Sequence, residues 1–145
     1  MSQKGHNTCL AGEFYVMSQL FRLEHEASIT LRNAKSIDIL TKSPKGNHCA
    51  ISVKSIRGGG KWGIGSEDDY SKSSLVFVLL HFNGKKFLDL KTLPDIWVVP
   101  AHEAQKIKQK WHKPKPGQKQ QYRLSFYKKD RHLLDKFRDA WHYLA

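Results

Sequence analysis

The chain has 145 residues, of which 39% are hydrophobic and 26% charged, and this composition indicates one folded domain rather than a disordered chain. The longest apolar run, residues 75–80, is too short to span a membrane, two cysteines are too few for a disulfide framework, and the first residues lack an apolar secretion signal, so we expect a cytoplasmic protein. The formal net charge of +12 favours polyanionic partners, of which nucleic acid is the commonest.

The first predicted element is a helix over residues 8–26, with Thr8 as its N-cap. Its apolar residues follow helical spacing: Leu10, Phe14, Met17, Leu20 and Phe21. Three strands are predicted next, at residues 28–31, 36–41 and 49–56. Turn-forming residues at 43–47 separate the last two strands, so we expect these strands to form an antiparallel hairpin.

The second half of the chain begins with glycines at 58–60, which predict a polar, flexible loop over residues 58–72. Residues 75–82 are nearly all apolar, which is typical of a central strand covered on both faces. Further strands are predicted at 87–90, 96–99 and 122–127, and helices at 101–111 and 130–144. The order predicts an α/β fold, a mixed β-sheet flanked by helices, in a single domain over residues 1–145 with its core at about 8–111.

Basic residues concentrate in the segment 106–129, within a stretch that has no acidic residue between Glu103 and Asp130. The nine basic residues of this segment are Lys106, Lys108, Lys110, Lys113, Lys115, Lys119, Arg123, Lys128 and Lys129. A solubilising surface is one explanation for such a segment. The length of the stretch without a carboxylate favours instead a surface that binds phosphates, so DNA, or else RNA, is the expected partner.

The glycines at 58–60 also suggest a close approach to a phosphate backbone, because a residue without a side chain leaves room for it. In this interpretation Lys61 contacts a phosphate and Trp62 stacks on a base. The alternative is a plain loop whose tryptophan is part of the core.

Glu13 is the first candidate for chemistry, because the helical wheel places it inside the apolar stripe, between Leu20 and Met17. A carboxylate directed toward the core is costly unless a metal, a lysine or backbone donors satisfy it. The alternative is a glutamate at the rim of the stripe that reaches water.

Asp38 is the second candidate, because aspartate is disfavoured in strands and Asp38 lies within one of the predicted strands. With the hairpin turn centred near Gly46, Asp38 lies opposite Lys54 on the same face of the sheet. In the same register the apolar residues of the two strands also face each other, and a slip of one residue would break both matches. The alternative is a cross-strand ion pair without a function.

The stretches 12–16, 36–40 and 51–55 together resemble the PD-(D/E)XK, or restriction-endonuclease-like, nuclease superfamily, nearest to its Holliday-junction-resolvase-like branch. The resemblance covers residues 10–100. Members of this superfamily share an α-β-β-β-α-β core, which we therefore expect here. They carry a glutamate in the first helix, an aspartate in the second strand and a (D/E)-x-K motif in the third.

The resemblance implies that Glu13 and Asp38 bind Mg²⁺ or Mn²⁺, that the backbone carbonyl of Val53 is a further ligand, and that Lys54 is the catalytic lysine. Such a site suits phosphodiester hydrolysis, because carboxylates are hard oxygen ligands and the metal activates water. The lysine stabilises the charge of the transition state or helps to orient the attacking water.

Ser52 stands where the superfamily has a carboxylate, and a neutral hydroxyl is a poor replacement for an anionic ligand. Ser52 is therefore the weakest of the expected ligands. The acids of the predicted loop, Glu67, Asp68 and Asp69, are candidates to replace the missing carboxylate. A solvated acidic patch is the alternative explanation for these three residues.

The sequence therefore predicts a metal-dependent endonuclease or a related DNA-processing enzyme. Two alternatives remain open, a catalytically inactive nucleic-acid-binding module on the same fold and a protein that binds an acidic partner. A homodimer is compatible with the resemblance, although the sequence contains no interface signature.

Overall fold

The computed structural model describes residues 2–30, 37–65, 70, 73–110, 112–125 and 131–145. Its helices are α1 (Gln3–Arg22) and α2 (Ala101–Ile107). Its strands are β1 (Glu26–Ile29), β2 (Ile39–Lys42), β3 (His48–Arg57), β4 (Trp62–Gly65), β5 (Val76–Phe82), β6 (Asp95–Pro100), β7 (Gln109–Lys110) and β8 (Tyr122–Leu124). No helix in these ranges is both long and apolar enough to cross a membrane.

The main sheet has five strands in the order β1-β2-β3-β5-β6. The first three form an antiparallel meander, β5 runs parallel to β3, and β6 runs antiparallel to β5. The predicted α/β fold with a mixed sheet is therefore confirmed. The apolar run at the start of β5 is buried throughout, because its alternate side chains enter two different cores on the two faces of the sheet.

A second, three-stranded sheet has the order β4-β8-β7. Strand β4 was missed, because residues 58–72 were predicted as a loop. Its residues nevertheless alternate with the period of a strand: Trp62 and Ile64 are buried, and Gly63 is exposed. In its described part the connection from β3 to β5 therefore holds a strand, whereas the α-β-β-β-α-β order places a helix there.

Helix α1 begins one turn before the predicted start. Its N-cap is Ser2, whose Oγ accepts a hydrogen bond from the backbone N–H of Gly5 (3.1 Å). The prediction of Thr8 as the N-cap was wrong, because Thr8 lies inside the helix and donates its hydroxyl to the carbonyl of Lys4 (2.8 Å). The helix ends at Arg22 rather than near 26.

The face that α1 buries also differs from the predicted stripe. The buried residues are Thr8, Gly12, Val16 and Leu20, spaced four residues apart. Phe14 and Phe21, predicted to be core residues, are 62% and 54% exposed. A hydrophobicity pattern assigns no weight to glycine, although the missing side chain at Gly12 is what lets this face approach the sheet.

The C-terminal segment is not the predicted helix over 130–144. It forms three 3-10 turns, at Arg131–Leu133, Asp135–Phe137 and Trp141–Leu144. Two residues prevent a continuous helix: Arg138 is extended and bridges to Trp97, and Asp139 has a positive φ of 48°. Leu134, Phe137 and Leu144 are nevertheless buried, whereas Trp141, which continues their helical spacing, is only partly buried.

Three other predicted elements differ from the structure: two are shorter than predicted, and one is not formed. Helix α2 stops at Ile107 rather than 111, because Lys108 is already extended and leads into β7. The predicted strand at 87–90 is absent, and Leu88 and Leu90 are exposed there. The last predicted strand, 122–127, is described as Tyr122–Leu124.

Candidate functional site

A cleft of about 290 Å³ opens between α1, β3 and β4, beside the start of β2. It is lined by Cys9, Glu13, Asp38, Val53, Lys54, Ser55, Ile56, Lys61, Trp62 and Gly63. The structure thus brings Glu13, Asp38 and Lys54 to one place, from three separate elements. A larger groove, about 370 Å³, borders Tyr15 and residues 82–94, but its mainly apolar lining offers no comparable set of oxygen ligands.

Two hydrogen bonds hold Asp38 at the cleft, one to its side chain and one from its backbone. The backbone N–H of Val53 donates to Oδ2 of Asp38 (2.7 Å), and the backbone N–H of Asp38 donates to the carbonyl of Ile51 (2.9 Å). The other carboxylate oxygen, Oδ1, accepts no hydrogen bond from the described residues. Asp38 therefore has a fixed orientation and one oxygen available to a ligand.

The predicted pairing of Asp38 with Lys54 was wrong by two residues. In the observed register Ile39 lies opposite Ile51, two residues from the predicted register, and Asp38 precedes the paired residues of β2. The turn is tighter than expected: the N–H of Gly46 donates to the carbonyl of Ser43 (2.8 Å), and Gly46 has a φ of 90°. A shift of two residues preserves the alternation of side chains along the two strands, and both Asp38 and Lys54 line the cleft.

Lys54 is half-buried in β3, and its side chain makes no ion pair or hydrogen bond with any described residue. The structural alternative for Asp38 and Lys54, a cross-strand ion pair, is therefore not formed. A half-buried lysine that lines the same cleft as two carboxylates, and that forms no ion pair with a described residue, is suited to contact an anionic ligand there.

Glu13 reaches the cleft because α1 lies unusually close to β3. A Cβ atom added at Gly12 would meet Oγ of Ser55 at 1.9 Å and Cβ of Ser55 at 3.1 Å, so only glycine permits this approach. The neighbouring Glu13 is half-buried and lines the cleft together with Cys9, one turn earlier. The helical wheel placed Glu13 on the side of the sheet, which agrees with this position.

The donors around the cleft fit a divalent metal ion only in part. Glu13, Asp38 and the carbonyl of Val53 are hard oxygen donors, and Oδ1 of Asp38 is available, so a hydrated Mg²⁺ or Mn²⁺ ion could be held by these residues and water. The described part of the chain contains no group of three or more histidine, cysteine or acidic residues placed to hold a metal. The proposed substitutes Glu67, Asp68 and Asp69 lie outside the described residues.

Ser52 does not line the cleft. Its side chain is 0% exposed, and its Oγ has no hydrogen-bond partner among the described residues. Nothing in this position supports the expected role of Ser52 as a metal ligand.

Trp62 is a core residue rather than a stacking platform. It is 1% exposed, its Nε1–H donates to the carbonyl of Leu80 (3.1 Å), and its ring meets that of Trp97 edge to face. The prediction that Trp62 stacks on a base was therefore wrong, and the alternative, a core tryptophan, is confirmed. Its neighbour Lys61 is half-buried and lines the cleft.

The basic segment divides into two parts. Lys106 forms an ion pair with Glu103 (3.5 Å), which also pairs with Lys136 (3.4 Å). Burial acts to raise the pKa of Glu103, but these two lysines outweigh it and hold the pKa below its usual value. Lys106, predicted to bind nucleic acid, is thus already engaged with a carboxylate.

The remaining predicted phosphate-binding residues lie on or next to β7 and β8. Lys110, Lys113, Lys115 and Lys119 are exposed, and Arg123 is half-buried. Arg123 pairs with Gly63, a residue of the cleft wall. The basic surface and the cleft are therefore connected through β4.

Four cleft residues were missed by sequence reasoning: Cys9, Ser55, Ile56 and Gly63. Cys9 could have been found, because it precedes Glu13 by four residues and so shares its helix face. Ser55 alternates with Val53 and could have been assigned to the α1 side of β3. Gly63 depended on recognising β4.

Searches of protein-family models, curated proteins and solved structures found no match to this chain. The resemblance to the nuclease superfamily therefore depends on the residues alone.

Proposed function

We propose that this protein is a metal-dependent endonuclease that hydrolyses phosphodiester bonds in DNA. The observation that carries the proposal is the meeting of Glu13, Asp38 and Lys54 in one cleft, beside a basic surface. Carboxylates with a neighbouring lysine are the groups that phosphodiester hydrolysis needs, and the basic surface supplies contacts to the polyanion.

Each residue has a distinct part in this proposal. Glu13 and Asp38 would hold the metal, with the carbonyl of Val53, and the metal when bound activates water and neutralises phosphate charge. The N–H of Val53 keeps the carboxylate of Asp38 in one orientation, so little reorganisation is needed. Lys54 donates hydrogen bonds to a non-bridging phosphate oxygen and stabilises the charge that develops there.

A second function, a nucleic-acid-binding module without catalysis, is favoured by one specific observation. Ser52 replaces a carboxylate and does not line the cleft, so two described carboxylates remain near the proposed metal. Such a site would bind a metal weakly, and DNA binding would be retained because it depends on the basic surface.

Nicking of supercoiled plasmid DNA separates the two functions. We expect nicking with Mn²⁺ or Mg²⁺, no nicking with a chelator, and a loss of about 100-fold or more in Lys54→Ala. The matched control is Lys45→Ala, which removes an exposed turn lysine and should leave the rate within about twofold. Nicking that survives in Lys54→Ala would refute the proposed site, and DNA binding without nicking by the unmodified protein would favour the binding module.

A further inference from the structure

The connection between β5 and β6 exposes three leucines close together. This leucine loop, residues 83–94, begins with a 3-10 turn at Gly84–Lys86 and carries Leu88, Leu90 and Leu93. Leu88 and Leu90 are 88% and 92% exposed, and Leu93 is 68% exposed. A single exposed leucine is ordinary, but a cluster of projecting apolar side chains marks a surface that binds a protein or a membrane.

Contacts on its inner side hold the leucine loop in one conformation. The guanidinium group of Arg57 lies over the ring of Phe87, 3.5 Å from the ring centroid. The carboxylate of Asp89 accepts hydrogen bonds from the N–H of Lys91 and from the hydroxyl of Thr92, both 3.1 Å long. Because these contacts fix the loop, little conformational entropy is lost when another surface buries its leucines.

The leucines are accompanied by positive charge. Lys85, Lys86 and Lys91 are exposed, and they make no ion pair with a described residue. The loop contains one acidic residue, Asp89, whose two carboxylate oxygens accept the hydrogen bonds within the loop. The loop therefore presents apolar side chains and ammonium groups together, and it favours an occupant that is both apolar and anionic.

The apolar surface continues from the leucine loop onto α1. The groove of about 370 Å³ lies between them, with Ala11 and Tyr15 on its helix side. Phe14 is exposed on the outer side of α1, opposite the buried face that contains Gly12. Tyr15 and Glu13 are two positions apart, about 160° around the helix, so the groove and the cleft lie on different flanks of α1.

Charge distinguishes the possible occupants of this surface. A second copy of the chain, related by twofold symmetry, would place the lysines of the loop near their own copies, and each chain carries a net charge of +12. An anionic bilayer offers negative headgroups with an apolar layer directly below them, which matches lysines beside projecting leucines. A bilayer also accepts projecting leucines without a shaped pocket for each side chain.

We propose that the leucine loop, together with Phe14, binds the surface of an anionic lipid bilayer. Leu88 and Leu90 enter the boundary between headgroups and acyl chains, and the three lysines of the loop contact the anionic headgroups. The contact is peripheral and needs no segment that spans the bilayer. It does not rest on the proposed nuclease function, because the loop and the cleft use different residues.

Co-sedimentation with vesicles of phosphatidylcholine, alone or with about 30 mol% phosphatidylserine, tests the proposal. We expect the partition coefficient to be at least about 10-fold higher with phosphatidylserine. The variant Leu88→Ser/Leu90→Ser keeps the charge but should lower binding to these vesicles at least about 10-fold. The variant Lys85→Gln/Lys86→Gln/Lys91→Gln should lower it by a similar factor.

Two matched controls separate this surface from general attraction of a basic protein to anionic lipid. Leu40→Ser changes an exposed leucine of β2, and Lys110→Gln/Lys113→Gln/Lys115→Gln removes three exposed charges elsewhere. Each should change vesicle binding by less than about threefold. Circular dichroism checks that the leucine variants keep the fold, which is expected because the substituted side chains are exposed.

Three results would overturn the proposal. The first is equal vesicle binding by Leu88→Ser/Leu90→Ser and the unmodified protein, because the leucines would then serve another occupant, such as an acidic protein segment. The second is an equal loss in the loop variants and their controls, which would mean attraction by net charge alone. The third is a dimer of the unmodified protein that Leu88→Ser/Leu90→Ser converts into a monomer in sedimentation equilibrium, because a second copy would then cover the leucines.

Discussion

At the residue scale, Asp38 has two separable properties, a hydrogen-bond acceptor and a charge. Its Oδ2 accepts a hydrogen bond from the N–H of Val53, and this bond attaches the residue before β2 to β3. Its charge is what a metal ion would require. Substitutions can separate these two properties. Asparagine keeps the hydrogen-bond acceptor and loses the charge, whereas alanine loses both.

We expect Asp38→Ala to lose about 1 to 3 kcal/mol of unfolding free energy, because the N–H of Val53 would be left without a partner in a partly buried position. Asp38→Asn should lose less than about 1 kcal/mol. Both variants should lose nicking activity, since neither carries the charge. Urea unfolding at neutral pH measures the free energies, and equal destabilisation of the two variants would contradict the structural role given to Oδ2.

Individual site residues were predictable from the sequence because each breaks a local rule. Glu13 interrupts an apolar stripe, and Asp38 interrupts a strand. The burial of Trp62 was not predictable in the same way, because its indole donates to Leu80, which is distant in sequence. The ion pair of Lys106 with Glu103 joins residues three apart on α2, so helical spacing could have predicted it, whereas the second partner of Glu103, Lys136, is distant in sequence.

At the element scale, the contact between α1 and β3 places Glu13 at the cleft, and Gly12 makes that contact possible. In an ordinary helix position, glycine to alanine stabilises by about 1 kcal/mol. Here the added Cβ would overlap Oγ of Ser55, whose hydroxyl is buried and has no hydrogen-bond partner. The steric cost should therefore exceed the gain in helix propensity.

We expect Gly12→Ala to destabilise the protein by about 1 to 3 kcal/mol, as overpacking usually does. In the background Ser55→Ala the overlap with Oγ is absent, so the same change should cost less than about 1 kcal/mol. The control Gly59→Ala, where an added Cβ meets no atom within 4 Å, should change stability by less than about 0.5 kcal/mol. A double-mutant cycle from urea unfolding measures the coupling, and additive effects would refute the proposed contact.

The elements themselves were predictable to different degrees. The alternation in β3 and the apolar run of β5 have strong local signals, and both strands were located to within a residue of their observed ends. The hairpin register was missed because it depends on the turn geometry at Gly46. The C-terminal segment has helical spacing of apolar residues, but the positive φ of Asp139 and the bridge from Arg138 to Trp97 set its path.

At the scale of the whole molecule, 25 lysines and arginines outnumber 13 acidic residues, which leaves a formal net charge of +12. The described ion pairs are mostly exposed: in Lys42 with Glu26 the side chains are 43% and 81% exposed, and in Arg138 with Asp95 they are 46% and 39% exposed. Pairs of this kind contribute about 0 to 1 kcal/mol each. Repulsion among the unpaired lysines should therefore dominate the electrostatic free energy of the folded chain.

We expect added NaCl to stabilise this protein, because salt screens repulsion among many lysines and weakens only a few surface ion pairs. Between about 20 and 300 mM NaCl, Tm should rise by about 2 to 4 °C, which corresponds to roughly 1 kcal/mol for a chain of this size. In the variant Lys110→Gln/Lys113→Gln/Lys115→Gln, which removes three exposed positive charges, Tm at low salt should already be higher and the rise with salt smaller. Differential scanning calorimetry measures both effects. A fall in Tm with salt would mean that ion pairs, rather than repulsion among the lysines, govern the electrostatic contribution to stability.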